Sequence, residues 1–163
     1  MDEKDIDINL QEDTQHGRFL TFTLDSEDYG IQIKYVTEII GMQPISQIPE
    51  VPEYIKGIVN LRGKIIPVID IRLKFKKDAV DYTDRTCIIV IDTGEISVGL
   101  IVDNVSEVIT ISDEEISPPP DAKTGIHNRY IHGIGRVGER VKLLIDCEKL
   151  FIEQEIEAIT EIN

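Results

Sequence analysis

The sequence predicts a mainly β protein: a doubled small domain whose short strands form two small barrels, followed by a short C-terminal helix. Three observations carry this. Apolar and polar residues alternate over strand-length runs, as Leu20, Phe22 and Leu24 do with Thr21 and Thr23. Clusters of turn residues separate such runs at short, regular intervals. The two halves of the chain also match each other. A shift of 69 carries Gly30 onto Gly99, and Val36-Thr37-Glu38-Ile39-Ile40 onto Val105-Ser106-Glu107-Val108-Ile109. A shift of 76 then carries Ile55, Gly57, Ile58, Ile69, Asp70 and Phe75 onto Ile131, Gly133, Ile134, Ile145, Asp146 and Phe151. The seven extra residues fall in the second connection, around Pro118-Pro119-Pro120. Such a unit is too long for a solenoid repeat and fits a duplicated small domain.

The elements follow in order. The first strand ends at Asp25-Ser26-Glu27-Asp28, which turns the chain into residues 29–33. In the second half, residues 87–91 are continuously apolar, and Asp92-Thr93-Gly94-Glu95 turns them back through Val98, Leu100 and Val102. Gly30 and Gly99 inside strands suggest a bulge or a tight barrel corner. Pro52 and Gly57 bracket what reads as one helical turn. Residues 65–71 form a strand in which Pro67 favours an edge or a bulge. Residues 146–161 have helical character, with Asp146 as cap and Leu150, Phe151, Ile156 and Ile159 as an apolar face. The expected division is 1–17, an acidic and partly disordered tail; 18–82, the first barrel; 83–151, the second barrel; and 152–163, an acidic helix or tail. Strand exchange between the barrels stays open.

Composition narrows the function. Hydrophobic residues make up 41% of the 163 residues, with aromatics at 6% and no Trp, so the core is Ile, Val and Leu. The net charge is -14, with the ends the most acidic and the middle only mildly so, and this acidic balance argues against nucleic acid, whose phosphates call for clustered Lys and Arg. Two separated cysteines, Cys87 and Cys147, and no apolar leader after Met1 suggest reduced thiols in a cytoplasmic protein. No apolar run approaches the ~20 residues of a membrane span.

Catalytic patterns are few and weak. Residues 133–138 (GIGRVG) fit G-x-G-x-x-G, but a strand rather than a helix follows, so a hairpin turn is the better reading. His16, His127 and His132 have no second ligand at metal spacing. Asp113-Glu114-Glu115 lacks the spaced ligands and Gly of a calcium loop. No nucleophile elbow or activated cysteine is present. The expectation is no catalysis and no cofactor. A small-molecule barrel or an oligonucleotide-binding module would need a polar pocket or a basic aromatic face instead.

The segments that carry the repeat also resemble a known family. Residues 19–30 (FLTFTLDSEDYG), 36–40 (VTEII), 55–71 (IKGIVNLRGKIIPVIDI), 98–108 and 130–133 (YIHG) together resemble the CheW chemotaxis coupling proteins, from about Arg18 to Phe151. The resemblance implies two five-stranded barrels of SH3-like or OB-like kind around a shared apolar core. It implies an adaptor between the cytoplasmic tip of methyl-accepting chemotaxis receptors and the regulatory domain of a CheA-type histidine kinase. Such a protein is cytoplasmic and is recruited to receptor arrays at the inner membrane without inserting into it. A sequence ending at Asn163 leaves no room for a kinase core or receiver domain, which favours a standalone adaptor.

By the same resemblance the receptor surface is an apolar groove between the barrels. Val36, Val105 and Val108 are its expected lining, and Gly57, Gly99 and Gly133 match positions linked to function. Ile33 and Glu38 are the expected kinase contacts. Arg62 joins the receptor set on a separate argument: Gly138 takes its place in the second repeat, so the duplicated scaffold does not need a charge there. Glu38 is its expected partner, through a bidentate pair.

Overall fold

The computed structural model describes residues 16–119, 129–151 and 153–162. Its strands, in chain order, are β1 (Arg18–Leu24), β2 (Glu27–Gln32), β3 (Val36–Gly41), β4 (Ile55–Leu61), β5 (Lys64–Asp70), β6 (Cys87–Asp92), β7 (Ser97–Val102), β8 (Asn104–Thr110), β9 (Ile116–Ser117), β10 (Ile131–Val137) and β11 (Arg140–Ile145). A one-turn helix α1 (Ile71–Lys74) follows β5, and α2 (Glu153–Ile162) closes the chain. Two sheets result, ordered β8-β1-β2-β11-β10-β9 and β3-β6-β7-β5-β4.

The duplication is visible in the hydrogen bonds. Asp70 N donates to Tyr54 O at 2.8 Å, and 76 residues on Asp146 N donates to Tyr130 O at 2.8 Å. Val68 lies opposite Gly99 in the parallel β5–β7 ladder, as Leu144 lies opposite Gly30 in the parallel β11–β2 ladder. The repeat unit is nevertheless not the sheet. The five-stranded sheet takes the continuous stretch from β3 to β7, while the six-stranded sheet takes β1 and β2 with β8 to β11. A cut at residues 82/83 therefore falls between strands of one sheet. The cause is the pair of parallel ladders, each of which joins a hairpin from one repeat to a strand from the other.

The barrels expected from the sequence are not closed. In both sheets the described edge strands, β8 and β9 or β3 and β4, share no ladder with each other. Beside β4 there is one bridge, Ser46 to Ile58, whose place β9 takes beside β10. Each sheet still curls over a small core of its own: Val59, Ile66, Val68, Ile88, Val90 and Ile101 in the five-stranded sheet, and Phe19, Ile111 and Leu144 in the other. The opposite faces meet in the shared core. Period-2 alternation sends Ile89 and Ile91 of β6 there and Ile88 and Val90 to the inner core, so this strand is apolar from Cys87 to Ile91. Each fully buried Ile or Leu contributes roughly 1.5–3 kcal/mol of transfer free energy, and aliphatic burial dominates the stability.

Local readings change in four places. Residues 52–55 form a hydrogen-bonded turn, Ile55 N to Pro52 O at 3.0 Å, not a helical turn, and Gly57 lies inside β4 at a bulge. Pro67 is in an interior strand; the β5–β7 ladder starts at Val68, so no bond to β7 is lost at the proline. Asp146 accepts from Glu148 N and Lys149 N, but the helix begins later, at Glu153. Gly30 and Gly99 mark no bulge in their own hairpins, whose registers run unbroken. The tail predicted for residues 1–17 and His127 lie outside the described residues, apart from His16 and Gly17. Among the described residues, no helix is long and apolar enough to cross a membrane.

Candidate binding surface

Four of the expected site residues lie on the two equivalent edge strands, Val36 and Glu38 on β3 and Val105 and Val108 on β8. A 3-10 turn, Ile33–Tyr35, leads from β2 into β3, and Ile33 is half-buried against the shared core. Val36 lies opposite Ile91, and Val105 of β8 lies opposite Phe22 in the matching position. Both valines are half-buried and pack on the shared core, one from each sheet. A bulge follows each: the register shifts between Val36 and Glu38 in β3, and between Leu20 and Phe22 opposite β8. Thr37 Oγ1 donates to Val90 O at 3.1 Å, and Thr21 Oγ1 to Glu107 O at 2.9 Å, so hydroxyls serve the loosened backbone there.

Beyond the bulges the strands present apolar side chains outward. Ile39 is 44% exposed and Val108 is 41% exposed, whereas Ile40 and Ile109 turn inward to the two small cores. Val36 and Val105 thus sit half-buried on the shared core, while Ile39 and Val108 stand exposed farther along the same two strands. Exposed aliphatic groups on edge strands suit a contact surface.

Arg62 and Glu38 meet. Arg62 Nη2 donates to Glu38 Oε2, a single contact and not the bidentate pair expected. Arg62 opens the two-residue β4–β5 turn at φ +54, followed by Gly63 at φ +87. Positive φ at both central residues matches the twist of a tight hairpin but is unusual for arginine. The pair links β3, one edge of the five-stranded sheet, to the hairpin at its other edge, where backbone ladders leave the sheet open. The Arg62 side chain is 71% exposed, and its bond to Glu38 raises its pKa above the ordinary value.

The three glycines do not belong to the accessible surface: all are buried. At Gly57, φ is +146, and an added Cβ would lie 2.1 Å from Ser46 O. The Gly133 counterpart would meet Ser117 O at 2.9 Å, and a Gly99 Cβ would meet Ile88 and Val68 side chains at 2.7 and 2.9 Å. They let chain segments close over each other, so a contact role gives way to a shaping role. Residues 133–138 are strand β10 and the start of its turn, not a phosphate loop.

Sequence reasoning missed the charged side chains at the seam. Arg72 of α1 is 5% exposed, and it bonds Asp103 at 2.6 Å and Asp25 at 2.7 Å. Lys74 is 6% exposed among aromatic rings. The signal for Lys74 was available at the offset of 76, where Leu150 is its apolar counterpart.

Comparison with known proteins gives the family and the fold. Residues 18–155 match the CheW-like domain. The chain is 40% identical over 153 residues to a chemotaxis protein CheW of Klebsiella aerogenes, covering 94% of this chain and 92% of that one. It is 34% identical over 149 residues to that of Treponema pallidum, covering 89% and 88%. Among solved structures, the scaffolding protein TtCheW of Thermoanaerobacter tengcongensis superposes with a TM-score of 0.77 at 38% identity, covering 83% of this chain and 88% of that one.

Proposed function

This chain belongs to the CheW-like family of chemotaxis coupling adaptors, and on that premise we propose that it holds a methyl-accepting receptor and a CheA-type histidine kinase together, without turnover of its own. The observation that carries the reading is the extent of the match, which takes in both sheets and the seam between them. Val36, Val105, Val108 and Ile39 receive the cytoplasmic receptor tip along the seam. Ile33 and Glu38, at and after the entry to β3, meet the kinase regulatory domain, with Arg62 setting the Glu38 carboxylate. The protein works in the cytoplasm at receptor arrays. Adaptors of this kind hold partners through modest interfaces of roughly micromolar strength, near 8 kcal/mol.

The Arg62 bond separates signalling from folding. Because the side chain is largely exposed, Arg62→Ala leaves the thermal midpoint nearly unchanged. Kinase stimulation in receptor-containing membranes falls severalfold, as Glu38 loses the group that orients it. Arg62→Lys is impaired as well, since an ammonium on a flexible stem does not reproduce the guanidinium geometry. Unaltered stimulation by folded Arg62→Ala removes the pair from the coupling surface.

A further inference from the structure

At the seam lies a buried cation that the coupling surface does not use. The Lys74 ammonium sits 4.6 Å from the ring centre of Tyr54, 5.3 Å from Tyr130 and 5.2 Å from Phe151. Tyr54 and Tyr130 are repeat counterparts, and so are Phe75 and Phe151; Phe75 stacks on Tyr130 at 5.4 Å. The duplicated rings thus surround one lysine, whose own counterpart is the fully buried Leu150. An apolar side chain serves the fold at that position in one repeat, so the charge in the other answers to something else. Its ion-pair partner is Glu155 of α2, which also accepts from Tyr54 Oη.

Among the described side chains of α2, Glu155 makes the polar contacts to the rest of the chain, while Ile156 and Ile159 supply apolar ones. A helix of 10 residues has little stability of its own in water and depends on what it packs against. Beneath it is a cavity of about 250 Å³ lined by Cys147, Phe151 and Ile156, with Ile96 and Glu95 from the β6–β7 turn. Cys147 is 1% exposed, and burial, with the nearby Asp146 and Glu148 carboxylates adding to it, pushes its thiol up to about 12. We propose that α2 is a releasable strap, locked to the body by Glu155 in the aromatic cage around Lys74, and that its release opens the cavity over Cys147. The cage takes Tyr54 from the approach to β4 and Tyr130 from the approach to β10, so the strap is fastened across both sheets.

Thiol labelling of the full chain reads the strap directly. In a Cys87→Ser background Cys147 is the remaining thiol, and its reaction with an aromatic disulfide reports opening. Glu155→Gln keeps the side-chain shape and removes the charge; it accelerates labelling by at least about tenfold, with a urea dependence much shallower than that of global unfolding. Glu157→Gln, on an exposed position of the same helix, labels at the parent rate. Parent-rate labelling in Glu155→Gln overturns the proposal. So does acceleration that follows the steep urea dependence of global unfolding, or equal acceleration in Glu157→Gln.

Discussion

Arg72→Met lowers the stability of the folded chain by about 3 kcal/mol. The guanidinium is buried where three segments converge: Nη1 donates to Asp103 Oδ2 at 2.6 Å, Nη2 meets Asp25 Oδ1 at 2.7 Å, and Nε donates to Asp78 O at 2.9 Å. Asp25 lies in the β1–β2 turn of the six-stranded sheet, and Asp103 lies where the chain leaves β7 of the other sheet for β8. Burial alone works against the charge, but the hydrogen bonds and charges of the two aspartates outweigh it and raise the arginine pKa. Met keeps the apolar stem and removes the guanidinium from two carboxylates and a carbonyl, leaving Asp103 with the Asp25 N–H at 2.9 Å and Asp25 with Lys77 at 3.9 Å. Asp25 is half-exposed and regains water, so the loss falls at the lower end of the range for a broken buried pair, about 3–5 kcal/mol. Urea unfolding with an unchanged slope is the measurement. A loss below about 1 kcal/mol, the scale of a surface pair, contradicts the assignment of Arg72 as the charged link between the sheets.

Gly57→Ala costs at least about 3 kcal/mol, combining backbone strain and overpacking. The position has φ +146, and the added Cβ would stand 2.1 Å from Ser46 O and 2.8 Å from Ile45 Cγ2. Ser46 cannot yield cheaply, because its N–H and carbonyl both bond Ile58, each at 2.9 Å. Gly63→Ala separates the two causes. Its φ is +87, but nothing lies within 4 Å of the new Cβ, so it pays strain alone, roughly 1–2 kcal/mol. Equal losses in the two variants, by the same urea titration, mean that the close approach of the 45–46 segment is not what requires Gly57.

Much of this architecture was legible in the sequence because the duplication repeats its side-chain environments. The offsets of 69 and 76 align Val36 with Val105 and Tyr54 with Tyr130, and the structure gives those pairs matching registers and hydrogen bonds. Arg62 stood out for the same reason, since a charge that one repeat replaces with Gly138 is not there for the scaffold. The assignment of strands to sheets was not legible. Alternation tells which face of a strand is buried, but both faces of β6 and β7 are buried, and the parallel ladders β2–β11 and β5–β7 join residues far apart in the chain. The turn at 52–55 was misread because Pro52 and Gly57 also mark helix ends, while here the glycine serves a bulge. Arg72 escaped notice since only the folded seam shows that a charge so close to Ile71 is buried, whereas for Lys74 the apolar counterpart Leu150 at the offset of 76 was a signal passed over.

A chain that holds two partners at once reveals it in a mixture of three purified components. The full chain is combined with a soluble receptor-tip fragment and a kinase regulatory domain, and the mass of the resulting complexes is measured by sedimentation. Binary complexes form with either partner and a ternary complex with both, and Val108→Asp, at an exposed position of β8, loses both receptor-containing complexes while keeping the one with the kinase. Competition between the receptor and kinase fragments for the chain, with no ternary species at saturating concentrations, would contradict simultaneous binding.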